Sequence, residues 1–177
     1  MAYWFIDGTA ARAAELRQLA PELVFEVAEL PSGFAASAPE PGPRARDKLL
    51  ADPRPGFAEA IDLTTMDGKS LRLELDSENE TRFCRWWRQT PARLHLCVAY
   101  RRDPQGAVEV ITAVCDGAIA EKPAGTSGLG WDRLFVPSGQ TRPLAAAVGG
   151  GVFDAAVRDV YKRQAVMTST APCGSRR

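Results

Sequence analysis

Residues 3–19, YWFIDGTAARAAELRQL, decide the fold class of this chain. The apolar run at 3–6 predicts a buried strand, and an Asp-Gly pair interrupts it. Thr9 is a typical N-cap for a helix over 10–19, which is rich in Ala and Leu. Residues 24–30, VFEVAEL, alternate apolar and polar side chains and predict a second strand. The order strand, helix, strand predicts an α/β fold with a loop at the end of the first strand.

Further along the chain, turn-forming residues separate segments of clear periodicity. The Asp-Gly pair at 67–68 lies between two alternating segments and predicts a hairpin turn. Residues 103–106, DPQG, predict a second hairpin. Helices are predicted at 46–51, 77–88 and 153–167, and strands at 60–66, 69–75, 94–100 and 107–114, with 117–120 extending the sheet. We expect one domain over 1–177, with a frayed tail at 168–177.

Composition narrows the class of protein. With 45% hydrophobic residues in 177, the chain can bury a core. Basic and acidic residues balance at 22 each, so no net charge attracts the molecule to nucleic acid or to an anionic membrane. The four cysteines form no CxxC pair and there is one histidine, which is typical of a reduced, cytoplasmic protein without a zinc site. No apolar run approaches the roughly 20 residues of a membrane span.

The glycine-rich segment 117–139, GAIAEKPAGTSGLGWDRLFVPSG, is the first candidate binding element. Glycines such as Gly128 let a backbone approach a ligand closely. Trp131 offers a flat apolar surface, and Asp132 can accept hydrogen bonds from a base edge. The alternative interpretation is a tight turn before a buried strand, with Trp131 and Phe135 in the core.

The junction between the first strand and its helix is the second candidate. Amides at a helix N-terminus bind phosphate, and a cation one turn into the helix adds positive charge. Thr9 and Arg12 occupy these two positions. An ordinary N-cap with a solvated arginine is the alternative.

The segment 117–139 resembles the GFGWDPIFxPxG signature of the inosine/xanthosine triphosphate pyrophosphatases, and its GxIxxKPxG run fits that family as well. The resemblance implies a long, twisted mixed β-sheet with flanking helices, split into two lobes by a central nucleotide cleft. The family's loop holds the purine base, and Leu129 stands where its stacking aromatic residue would. In the family's TGNxxK motif, the Asn and the Lys bind the triphosphate. Thr9 stands at the position of the Asn and Arg12 at that of the Lys.

The same resemblance implies further site residues. The family's metal-binding Glu follows a Leu-Pro pair that is followed by Ser32 here, so Glu29 and Glu40 are the nearest substitutes. Asp62 and Glu59 are the candidates for the acidic pair that holds metal and activates water. Lys162 and Arg163 fall on the His and Arg of the family's SHRxxA motif, which reads the purine carbonyls.

The function implied is magnesium-dependent hydrolysis of abnormal purine nucleoside triphosphates (ITP, XTP, dITP) to the monophosphate and pyrophosphate, by a homodimeric enzyme. Two alternatives stay open at this point. One is a nucleotide-binding relative that has lost catalysis, which the missing Glu favours. The other is an interaction protein that pairs through the tryptophan-bearing face of the helix at 77–88.

Overall fold

In the part of the chain that the structure describes, the sheet has six strands in the order β2-β1-β3-β4-β5-β6. The structure, a computed structural model, describes residues 3–71, 77–125 and 130–146. The strands are β1 (Tyr3–Ile6), β2 (Phe25–Ala28), β3 (Gly56–Thr65), β4 (Pro91–Arg101), β5 (Glu109–Ile119) and β6 (Phe135–Pro137). The helices are α1 (Ala10–Leu19), α2 (Pro41–Leu50) and α3 (Ser77–Trp87), with short 3-10 helices at Gly130–Arg133 and Leu144–Ala146.

The first half of the sheet is parallel and the second half antiparallel. β1 pairs in parallel with both β2 and β3, so the predicted strand-helix-strand opening is confirmed. β3, β4, β5 and β6 follow as antiparallel neighbours. The result is the mixed sheet with flanking helices that the resemblance implies, and β1 lies between two strands with its carboxyl end open to a cleft.

Helices cover both faces of the sheet because each strand near its centre is apolar on both sides. On the α1 face, the rings of Phe5 and Phe57 stack at 4.8 Å, and Phe25 meets both edge-on. On the α2 face, Leu49 packs with small residues of β3 and β4. α3 adds Phe83 to the α1 face.

Several elements differ in extent from the sequence prediction, among them α2, β3 and β5. α2 begins at Pro41, five residues before the predicted start, because proline is tolerated in the first turn of a helix. β3 begins at Gly56 rather than at residue 60, and β5 runs without interruption to Ile119. The turn at Asp67 and Gly68 is confirmed: the Thr65 amide donates to the Lys69 carbonyl at 2.9 Å. Within the described residues, no helix is long and apolar enough to cross a membrane.

Candidate functional site

A cleft of about 1030 Å³ opens at the carboxyl end of β1. The parallel strands β1 and β2 end here, which is where ligands bind in open α/β sheets. Its walls come from five parts of the chain: the β1–α1 junction, the loop before α2, α2 itself, the centre of β3, and the segment Gly130 to Asp132. The two candidate binding elements, far apart in sequence, thus face one cavity.

The β1–α1 junction supplies Asp7, Thr9 and Arg12 to the cleft. Thr9 is the predicted N-cap, since its hydroxyl accepts a hydrogen bond from the Arg12 amide at 3.1 Å. Asp7 has a φ of 61°, a left-handed conformation that is uncommon for a residue other than glycine. Arg12 is 6% exposed, so its guanidinium is no solvated surface group.

Arg12 is held by two carboxylates. Its Nε lies 2.7 Å and its Nη2 3.1 Å from the two oxygens of Glu59, a bidentate pair. Its Nη1 lies 2.6 Å from Glu15, one turn further along α1. Glu59 and Arg12 therefore share one side of the cleft, where Glu59 serves as the arginine's counter-ion.

Two more cations reach the cleft from α2, and sequence reasoning missed both. Arg44 donates to the carbonyl oxygens of Pro39 at 2.9 Å and Ile61 at 2.7 Å. Lys48 forms an ion pair with Asp7 at 2.7 Å and donates to the Glu59 carbonyl at 3.1 Å. Their spacing of four residues puts both on one face of a helix. This signal is visible in the sequence only if the helix is predicted to begin at Pro41.

The loop before α2 forms one wall of the cleft. It contributes Phe34, and contacts to α2 hold it in place. The amide and hydroxyl of Ser37 both donate to Asp47, at 2.7 and 2.6 Å, and these hydrogen bonds lower the pKa of the Asp47 carboxyl. Its Pro, Ala and Ser content predicted a loop but did not indicate a contribution to the site.

The segment Gly130 to Asp132 supplies the opposite wall. Trp131 lies in a 3-10 helix, is 7% exposed, and packs against Phe83 at 5.7 Å while one edge lines the cleft. Both interpretations of Trp131, core residue and cleft wall, therefore hold at once. Asp132 also lines the cleft, whereas Phe135 is fully buried.

Gly125 has a different role from the one its sequence suggested. Its φ is 92°, and a Cβ there would overlap the backbone of Ala145. The close approach is thus between two parts of the chain, not between the chain and a ligand.

Asp62 does not join Glu59, and this placement corrects the prediction that the two carboxylates act as a pair. Residues three apart on a strand point to opposite faces. Asp62 is 3% exposed, accepts a hydrogen bond from the Ser70 hydroxyl at 3.2 Å, and is absent from the cleft lining. It lies opposite His95 on β4, whose pKa burial lowers.

As they are arranged, Glu59 and Asp7 do not fit a magnesium ion, because each is paired with a cation. Magnesium takes oxygen ligands, usually one or two carboxylates with phosphates and waters. Three carboxylates line the cleft: Glu59 is held by Arg12, Asp7 by Lys48, and Asp132 lies in the segment Gly130 to Asp132. Glu29 and Glu40 are exposed and do not line it. Across residues 3–71, 77–125 and 130–146, no three His, Cys, Asp or Glu side chains form a metal-binding group.

Four of the positions raised by the sequence lie outside the described residues. They are Gly128, Leu129, Lys162 and Arg163. Their roles stay predictions.

Comparison with known proteins agrees with this geometry. The sequence model of the Ham1 family matches residues 71–148, which include the segment Gly130 to Asp132. The fold is similar to that of a HAM1 protein from Coxiella burnetii, with a TM-score of 0.68 over 97% of this chain and 100% of that one at 18% identity. The chain resembles the Ham1 family over residues 71–148. The predicted family resemblance is thereby confirmed.

Curated relatives of this chain carry the name dITP/XTP pyrophosphatase. The protein of Opitutus terrae is 28% identical over 141 residues, which cover 80% of this chain and 62% of the relative. That of Hyperthermus butylicus is 48% identical over 40 residues, 23% of this chain and 21% of the relative. The chain therefore spans less than two thirds of the length of these relatives.

Proposed function

We propose that this chain is a member of the Ham1 family and hydrolyses purine nucleoside triphosphates of the dITP and XTP type to the monophosphate and pyrophosphate. One observation carries the proposal: the cleft joins Arg12 of the β1–α1 junction to Trp131 and Asp132 of the glycine-rich segment. To bind a nucleotide, a site needs cations for the phosphates and a flat surface with polar groups at its edge for the base. The names of the curated relatives supply the reaction.

In this proposal Arg12 grips the phosphates, with Thr9 holding the first turn of α1 in place beneath them. Trp131 and Asp132 hold the base, with Lys162 and Arg163 as further donors to its carbonyl groups. Water attacks between the α- and β-phosphates. Fixed cations facing the phosphates offset the negative charge that develops on the departing pyrophosphate.

The test is pyrophosphate release by the purified protein, measured with ITP, XTP and ATP at equal concentrations, with and without magnesium. We expect turnover of ITP and XTP to exceed that of ATP by at least about tenfold, because a site that hydrogen-bonds the 6-oxo group leaves its polar groups unpaired with a 6-amino base. Nucleotide binding without turnover of any of the three would contradict the enzymatic proposal and support a binding role.

Magnesium dependence, a homodimer and a cytoplasmic location complete the proposal as the family resemblance implies them. Pyrophosphate release with and without magnesium measures the magnesium dependence. Light scattering of the eluting protein measures its mass, and a monomeric mass would contradict the homodimer.

A further inference from the structure

Three cations at one end of the cleft converge on a short stretch of β3. Arg12 pairs with the carboxylate of Glu59, Lys48 donates to the carbonyl of Glu59, and Arg44 donates to the carbonyl of Ile61. They come from two helices on opposite faces of the sheet. The three cations therefore meet at residues 59–61 of the cleft wall.

Two carboxylates occupy the same place. Glu59 holds Arg12 through two hydrogen bonds, and Asp7 holds Lys48 at 2.7 Å. Both carboxylates line the cleft, so an anionic ligand that approaches Arg12 or Lys48 meets them at close range. Ligand and carboxylates therefore compete for the same two cations.

The backbone of Asp7 is a second, independent observation. With a φ of 61°, Asp7 adopts a left-handed conformation that most non-glycine residues avoid. Such conformations persist where the surrounding structure imposes them, and they cluster at binding sites. Here the conformation accompanies an Asp7 side chain, 41% exposed, that meets Lys48 at the mouth of the cleft.

We infer that Glu59 and Asp7 are built-in counter-ions of a polyphosphate site rather than magnesium ligands. They hold Arg12 and Lys48 in place and release them when a polyphosphate binds. The inference rests on the proposed function, which supplies the polyphosphate. Its consequence is unusual for a binding site: removing either carboxylate strengthens binding of the anion.

The test is calorimetric titration of the full chain with inorganic tripolyphosphate in EDTA. Glu59→Gln and Asp7→Asn are each expected to raise the affinity about tenfold, because one unit charge a few ångströms from the anion is removed. The same gain is expected with magnesium present. Glutamine keeps an oxygen acceptor for Arg12, and asparagine tolerates the left-handed conformation, so both variants should retain the fold; circular dichroism melting checks this.

Asp116→Asn is the matched control. Asp116 pairs with Arg93 at 2.6 Å, but neither residue lines the cleft, so its loss should leave the affinity unchanged. An affinity of the Glu59 and Asp7 variants equal to or below that of the parent in EDTA would overturn the inference. So would failure of parent and variants alike to bind tripolyphosphate.

Failure of the inference can be told from failure of the proposed function. Stronger tripolyphosphate binding by the variants, with no hydrolysis of ITP or XTP, upholds the counter-ion role and contradicts the enzyme. If the parent hydrolyses ITP or XTP but the variants do not bind tripolyphosphate more strongly, the proposed enzymatic function stands and the counter-ion role is contradicted.

Discussion

Arg12 contributes to the fold through its backbone and to the cleft through its side chain. Its backbone amide donates to the N-cap hydroxyl of Thr9, and its guanidinium reaches Glu59, 47 residues away, and Glu15. Because the guanidinium is buried and doubly paired, its position is set before any ligand arrives. A prepositioned fork of this kind suits recognition of phosphate oxygens.

Replacing Arg12 with glutamine should therefore weaken binding of the phosphates without weakening binding of the base. We expect the affinity for ITP to fall roughly 10- to 100-fold, the value of a charged hydrogen bond of about 1.5–3 kcal/mol, while the affinity for inosine stays unchanged. Isothermal titration with both ligands measures this. Arg17→Gln is the control, since Arg17 lies on the same helix but contacts Phe25 and not the cleft. Equal losses for ITP and inosine would argue against a phosphate role.

At the scale of elements, backbone packing and side-chain contacts both hold the chain beside the wall Gly130 to Asp132. Gly125 lies against Ala145, and Arg133 pairs with Glu80 of α3 at 2.7 Å. These contacts tie the chain beside the cleft wall to α3 and to the 3-10 helix at Leu144–Ala146. A glycine of this signature, Gly125, thus allows one part of the chain to pack closely against another.

Gly125→Ala and Gly68→Ala form a matched pair that tests this packing. The two glycines have nearly equal φ values, 92° and 91°, but an added Cβ overlaps Ala145 only at position 125. We expect Gly68→Ala to lower the free energy of unfolding by about 1 kcal/mol and Gly125→Ala by about 2–4 kcal/mol, since overlap adds to backbone strain. Urea unfolding followed by tryptophan fluorescence measures both. Equal losses would show that the contact with Ala145 is unimportant.

At the scale of the whole molecule, the two faces of the sheet bury three cysteines. Cys84 and Cys115 lie in the core on the α1 face and Cys97 in that on the α2 face. Burial raises the pKa of the Cys84 thiol to about 11, and it raises the pKa of the other two thiols as well. A higher pKa leaves less thiolate at neutral pH, and the thiolate is the reactive form.

These thiols should report on unfolding of the whole sheet. At neutral pH without denaturant, we expect iodoacetamide to modify Cys84, Cys97 and Cys115 at least about 100-fold more slowly than in urea, because each must first be exposed by unfolding. Peptide mass spectrometry of samples taken over time gives the rate at each cysteine. Rapid modification of Cys97 alone would show that α2, which carries Arg44 and Lys48, opens separately from the rest.

Local patterns in the sequence were enough for much of this description. Helix α1 and its Thr9 cap, the parallel opening, the turn at Gly68 and the family signature around Trp131 were predicted, because each depends on neighbouring residues. The predicted start of α2 at residue 46 was wrong, because the first turn of a helix accepts Pro41 and Pro43. That error hid the two cations of α2.

The sequence by itself determined the fold class, the family resemblance and two of the segments that line the cleft. Only the tertiary structure decided the partners of the charged groups: Glu59 on Arg12, Asp7 on Lys48, and Asp62 on the far face of β3. The physical reason is range. Periodicity, capping and turn chemistry act between residues a few positions apart, whereas an ion pair forms wherever strand order and side-chain alternation bring distant residues together.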